Sequence, residues 1–260
     1  MGLIEGDDFN IYLPDQTYQG LTYAELIADW MNWLYSSDPD ERNEPHLTFL
    51  RGNAIGEPYS PESLSVAASS LEAVSDIRLI LDRTGFRGIT INTDSTIFFS
   101  VYDTNFVITD QYEGKVLQTP YELRVAARKE YNMVSVIWAT YKKWNGRNWG
   151  VAHPIVDDLS NCYAESSLFR LFVSKGNKAN REPAYYLQES QDYLGLSVGT
   201  FLLISNFKPG KYRFDFGGIS SVEYFTRAVY DITVVNGVEP RIKDISADIS
   251  KNAKLPKSII

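Results

Sequence analysis

The sequence predicts a mainly β protein: an antiparallel β-sandwich of jelly-roll type with one N-terminal helix and one shorter helix. Three observations carry this. The apolar run Phe201, Leu202, Leu203 and Ile204 meets Pro209-Gly210, and an alternating stretch leaves it, with Tyr212, Phe214 and Phe216 on one side and Arg213 and Asp215 on the other. Proline presets φ at the second position of a turn and glycine accepts positive φ at the third, so 201–216 reads as a hairpin closed by a type II turn. Its alternation is the period of a half-buried strand. Second, Asn145-Gly146 is the dipeptide that two-residue hairpin loops favour, and it divides a strand over 133–144 from a return over 147–151. Third, the stretch 224–235 puts Ala228, Tyr230, Ile232 and Val234 on one face.

The remaining elements follow in order. Residues 1–19 read as extended. Thr22-Tyr23-Ala24-Glu25 is a capping box, in which the hydroxyl accepts an early N–H and the glutamate reaches back. Leu26, Ile27, Trp30, Met31, Trp33 and Leu34 follow at helical spacing, so a helix is expected over 22–35, packing on the sheet. A strand is expected at 47–51. Residues 52–75, rich in Gly, Pro, Ser and Ala, read as a loop with a short helix near 61–74. Strands follow at 77–81, 89–92 and 96–102. A second capping box, Thr119-Pro120-Tyr121-Glu122, places proline at the first helical position, where its missing N–H costs nothing, and predicts a helix over 120–131. A strand at 168–173 precedes a polar loop at 174–192, and Gly217-Gly218 reads as a turn.

The chain has 260 residues, 44% of them apolar, enough for one substantial core. The organisation expected is an extended segment at 1–19, a sandwich domain at 20–235 and a C-terminal arm at 236–260. A single cysteine, Cys162, permits no internal disulfide. The first residues carry neither a basic flank nor an apolar core of a signal peptide. Gly6 stands where myristoylation requires Ser or Thr. No apolar run is long enough for a membrane helix, so no membrane partner is expected. The net charge of −8 is concentrated: residues 1–45 hold ten acids and one base, Arg42. That argues against phosphate binding there and suits either a solvated face or a basic partner surface.

In patches over residues 20–235, the chain resembles a family of largely uncharacterised, mostly secreted bacterial and fungal β-sandwich proteins. These open on a Ser/Thr-Tyr-Ala-Glu-Trp helix bearing several tryptophans, here Thr22-Tyr23-Ala24-Glu25-Leu26 with Trp30 and Trp33. A Phe-Leu-x-Gly strand follows (Phe49-Leu50-Arg51-Gly52), then a Phe-Phe strand (Ile97-Phe98-Phe99) and a helix with Leu-Arg (Leu123-Arg124). The family closes on Pro209-Gly210, Phe216-Gly217-Gly218 and Tyr230-Asp231-Ile232-Thr233-Val234. The resemblance implies the fold and transfers no catalytic residue. This chain departs from the family in lacking its signal peptide and paired cysteines and in adding the arm, which suggests a scaffold reused in another setting. Its acidic, Tyr- and Asn-rich, Cys- and His-poor composition is similar to that of tailed-phage structural proteins.

The best candidate binding surface is the aromatic hairpin Tyr141, Lys142, Lys143, Trp144, Arg147 and Trp149, with Trp138 at its start. Core packing, a protein interface and stacking on sugar rings are all compatible with it; nucleic acid is the least expected ligand. The second candidate is the arm, whose Ile242, Ile245, Ile249, Leu255, Ile259 and Ile260 are too apolar for a solvating tail and suit docking on a neighbour. Asp38, Asp40, Glu41 and Glu44 lack the spacing of a calcium loop. His46, His153 and Cys162 are too few for zinc, and a Cys162–His153 nucleophile pair is set aside because a lone cysteine is usually buried. No nucleotide-binding or nucleophile-elbow motif is present. No catalytic residue, metal or cofactor is therefore assigned. The function expected is a non-enzymatic structural protein of a tailed-phage virion (decoration, neck or tail) that binds other protein subunits. The alternative is a carbohydrate-binding module, and the alternative location is the cytoplasm.

Overall fold

The computed structural model describes residues 3–35, 43–44, 47–50, 86–173, 191–220, 225–236 and 241–243. In these the chain is mainly β and sandwich-like, with two helices. The elements run β1 (Ile4–Glu5), β2 (Asn10–Tyr12), β3 (Thr17–Tyr18), β4 (Leu21–Thr22), α1 (Tyr23–Leu34), β5 (Asn43–Glu44), β6 (Leu47–Leu50), β7 (Phe86–Asn92) and β8 (Thr96–Val107). They continue with β9 (Gln111–Tyr112), β10 (Lys115–Val116), α2 (Pro120–Tyr131), β11 (Val134–Lys143), β12 (His153–Pro154), a 3₁₀ turn (Leu159–Cys162), β13 (Tyr163–Glu165) and β14 (Phe169–Phe172). Last come β15 (Asp192–Ser205), β16 (Gly210–Ser220), β17 (Phe225–Val235) and β18 (Arg241–Lys243).

Two sheets make the sandwich. One is eight-stranded, in the order β1-β2-β15-β8-β6-β5, with β13 and β14 also pairing with the long β15. The other is six-stranded, in the order β12-β11-β16-β17-β7-β18. Most pairs are antiparallel, but β6 runs parallel to β8 and β7 parallel to β17. Between the sheets lies the main core. Ile97, Phe99, Leu202 and Ile204 come from the larger sheet, and Phe214, Phe216, Tyr230 and Ile232 from the smaller. Phe9 from the β1–β2 connection inserts here, its ring 4.8 Å from Tyr141 and 5.7 Å from Phe214.

The other residues of β8 and β15 face the opposite way, as the period of two requires. There Phe98, Phe201 and Leu203 meet Leu26, Ile27, Trp30 and Met31 of α1. Both capping boxes form as the sequence predicts. Glu25 N donates to Thr22 Oγ1 while Thr22 N donates to Glu25 Oε2 at 2.8 Å. Thr119 and Glu122 repeat the exchange at the start of α2. The pairing of β15 with β8 shifts register where Thr200 gives way to Phe201. Beyond that point, Leu196 and Val198 of β15 pack on Leu123, Ala126 and Ala127 of α2. The layers are thus α1, the eight-stranded sheet, and then the six-stranded sheet beside α2.

Several local expectations are corrected. The segment 201–216 is not a hairpin: β15 and β16 belong to different sheets, and the Pro209-Gly210 connection arches across the core. Gly210 has φ +156°, far from a type II turn; the left-handed residue is Asn206, at +53°. The arch is tied down by Lys208 N donating to Asp8 O and by Tyr212 Oη donating to Lys208 O. Gly217-Gly218 is not a turn but lies within β16. There a Cβ on Gly217 would fall 2.0 Å from Thr226 O, and one on Gly218 2.5 Å from Tyr102 Cδ2, so both glycines serve close approach. The return over 147–151 is reduced to a bridge between Trp144 and Trp149 followed by β12. The stretch 96–102 extends to Val107, and β15 begins at Asp192, where a loop was expected. The expected strand at 77–81 and the loop with a helix at 52–75 lie outside the described residues.

Candidate functional site

Past an irregularity between Val134 and Val136, β11 alternates cleanly. Ile137, Ala139 and Tyr141 turn into the core, so Trp138, Thr140 and Lys142 turn outward. The register sets Lys142 opposite Arg213 on β16, and Arg213 opposite Asp231 on β17. The outer face of the six-stranded sheet therefore collects aromatic and charged side chains from three adjacent strands.

They are held in two forked ion pairs. Arg213 donates through Nε to Asp231 Oδ1 at 2.6 Å and through its terminal nitrogen to Oδ2 at 2.8 Å. Arg227 grips both oxygens of Asp215, with Nε to Oδ1 at 2.7 Å, and Trp138 Nε1 donates to the same Oδ1 at 3.0 Å. Parallel two-point contacts of this kind fix the guanidinium plane as well as its charge. The Arg213 guanidinium also lies 4.4 Å from the centre of the Trp149 ring, a cation–π contact. Trp149 meets Trp144 edge to face at 5.3 Å.

The loop that presents these tryptophans is built by Asn145. Its Oδ1 accepts from the backbone N–H of Arg147 and of Asn148, and Gly146 takes φ +97°. The sequence signal was right about the turn residues and wrong about its length: four residues, 145–148, close it instead of two. Among the described side chains, this face and its loop carry Lys142, Arg147, Lys211, Arg213 and Arg227 against Asp215 and Asp231. The register puts Arg241 opposite Thr90 and Lys243 opposite Gly88 at its far edge.

The six residues of the predicted aromatic hairpin are divided by this arrangement. Lys142, Trp144 and Trp149 lie on the outer face, and Arg147 is exposed at the loop. Tyr141 and Lys143 are turned toward the N-terminal segment: Tyr141 Oη donates to Asp8 Oδ2 at 3.3 Å, and Lys143 forms an ion pair with Asp8. Burial pushes the Tyr141 phenol above its ordinary range, and the Asp8 charge adds to the effect. Of the arm residues, Ile242 sits in β18 opposite Ile89; Ile245, Ile249, Leu255, Ile259 and Ile260 lie outside the described residues. So do the side chains of Asp38, Asp40, Glu41 and Glu44.

No known protein family, curated protein or solved structure matches this chain.

Sequence reasoning missed Arg213, Asp215, Arg227 and Asp231 as a unit. Arg213 and Asp215 were visible as the polar side of one strand, and Arg227 and Asp231 fall on the next. Only the register shows that they pair. Elsewhere, burial pushes the Cys162 thiol up to about 12, with the Asp158 charge adding to it, the reverse of what a thiolate nucleophile requires. Among the described residues no group of three or more His, Cys, Asp or Glu is placed to hold a metal ion, and no helix is long and apolar enough to cross a membrane. A polar group interrupts the large sheet at Asp103, whose Oδ1 accepts from Ser100 Oγ at 2.6 Å; Asn105 Nδ2 and Ser197 Oγ stand 3.4 Å from Oδ2. Burial there pushes the carboxyl above the usual carboxylate range, against the pull of those donors.

Proposed function

We propose that this protein is a non-enzymatic structural protein that assembles with other protein subunits through the outer face of its six-stranded sheet, in the virion of a tailed phage, with a decoration, neck or tail role. One observation carries the assembly reading: Trp138, Trp144 and Trp149 stand among arginines already locked to aspartates. Tryptophan and arginine are the residues that dominate protein interfaces. Side chains ordered before contact lose little rotamer entropy on docking. The composition and the terminal arm support the virion setting.

The same geometry weighs against sugar stacking. A pyranose ring needs an open aromatic face, and the Arg213 guanidinium already takes one face of the Trp149 ring, while Trp144 meets that ring edge to face at 67°, which reduces the surface left for stacking. The test is to purify phage particles from cells that make this chain, and to probe them by mass spectrometry and by immunogold labelling against residues 1–260. The chain is expected on intact particles, and a Trp144→Ala, Trp149→Ala double variant should be depleted from them. Absence from particles would refute the virion reading. A saturable change of tryptophan fluorescence on titration with a glycan panel would support the carbohydrate-binding alternative in its place.

A further inference from the structure

Among the described residues, an acidic and a basic surface lie on opposite sides of the sandwich. Residues 3–35 hold six acids and no Lys or Arg. They include α1, which covers the outside of the eight-stranded sheet and exposes Glu25 and Asp29, and the β2–β3 connection, which exposes Asp15. The outer face of the six-stranded sheet lies on the far side of the sandwich. Among its described side chains it sets Lys142, Arg147, Lys211, Arg213 and Arg227 against only Asp215 and Asp231, in a chain whose net charge is −8.

Packed layers stand about 10 Å apart, so α1 and the outer face of the far sheet are separated by about 20 Å. Asp8 is already taken by Lys143; the exposed acids of α1 lie beyond the Debye length of about 10 Å at 0.1 M salt from the far face, so they do not neutralise it within one molecule.

We propose that the basic, tryptophan-bearing face of one copy docks on the acidic α1 layer of a second copy, head to tail. This rests on the assembly reading above and names the partner of that same face. Because the two surfaces differ, the contact is heterologous. Repeated, it closes into a ring or continues as a stack, according to the rotation between copies. Complementary charge sets the approach and the register, and the aromatic side chains exclude water at the centre.

The test uses the full chain and light scattering behind size exclusion. At about 50 mM salt the mass should rise with protein concentration past twice that of the monomer, and at about 500 mM, where screening is strong, it should fall toward the monomer. Lys142→Glu with Lys211→Glu should abolish association, and so should Asp15→Lys with Asp29→Lys, with circular dichroism confirming that each variant is folded. Mixing the two variants should restore it, because each reversed surface then meets its complement. A face-to-face dimer would survive Asp15→Lys with Asp29→Lys, because that contact does not use α1, and that result overturns the proposal. So does a parent chain that stays monomeric at low salt. Particle labelling would then still decide the assembly reading, and loss of Lys142→Glu, Lys211→Glu from particles would assign the face to another virion protein. Salt-sensitive binding of a thymidine oligonucleotide by the monomeric parent, lost in the same variant, would assign it to nucleic acid.

Discussion

Single residues in this fold act through what surrounds them. Gly217 is needed because the neighbouring strand passes where its Cβ would lie, at 2.0 Å from Thr226 O. Gly217→Ala should lower stability by about 1–3 kcal/mol or more, since backbone must move to admit one methyl. Gly146→Ala meets open space and only a left-handed φ, so about 1–2 kcal/mol is expected. Urea midpoints of the two variants check the order; a Gly217→Ala midpoint at or above that of Gly146→Ala would contradict it. Asp103 offers a pH signature. Its folded pKa is raised by burial, so its contribution to stability is fully present below the ordinary carboxylate pKa and is lost as pH rises through the folded value. Asp103→Asn should flatten that fall and be more stable than the parent at neutral pH, as read from urea midpoints between about pH 4 and about pH 8. Identical pH profiles would show that Asp103 is not the group responsible.

At the scale of elements, legibility tracked the sequence distance of the partner. Both helices were readable because a capping box is complete within four residues, and apolar spacing reports the buried face of α1. Thr119→Ala removes the oxygen that accepts from Glu122 N and should cost about 1 kcal/mol. Restoring the oxygen as Ser or Asp should recover most of it, and an unchanged thermal midpoint for the alanine variant would refute the role. The strand faces of β16 and β17 were equally plain. Not legible was which strand each one joins. Pro209-Gly210 has the residues of a tight turn, yet the apolar sides of the strands it connects each find a better partner: β15 on β8, β16 on β11 and β17. Likewise Lys143 lies in a basic, aromatic stretch that suggests a surface open to a partner, and only the fold shows it paired with Asp8 of the N-terminal segment. The candidate face was half readable for the same reason. Trp144 and Trp149 announce themselves, whereas Arg213 and Asp231 gain meaning only when their strands lie side by side.

For the molecule as a whole, the two parallel pairings dominate the folding problem. β7 meets β17 with Arg87 beside Tyr230, 143 residues apart in sequence, and that contact is sealed by Arg87 donating to Tyr230 Oη at 2.8 Å. Closing so long a loop precedes any gain from the pairing, so refolding should be slow, in the range of milliseconds to seconds or longer. Stopped-flow tryptophan fluorescence would show it; complete refolding in microseconds would mean that the six-stranded sheet is not assembled from its two distant parts.

The arch between β15 and β16 carries one more consequence. In a sandwich made of hairpins, a sheet can unzip strand by strand from its own turn while its partner remains intact. Here the longest strand of one sheet continues directly into a central strand of the other. Neither sheet possesses a private edge from which β15 or β16 can be peeled alone. Backbone amides of Leu202 and Phe214, on either side of the arch, should therefore show the same protection against deuterium exchange, through a single opening of the entire sandwich, and clearly different protection would refute it.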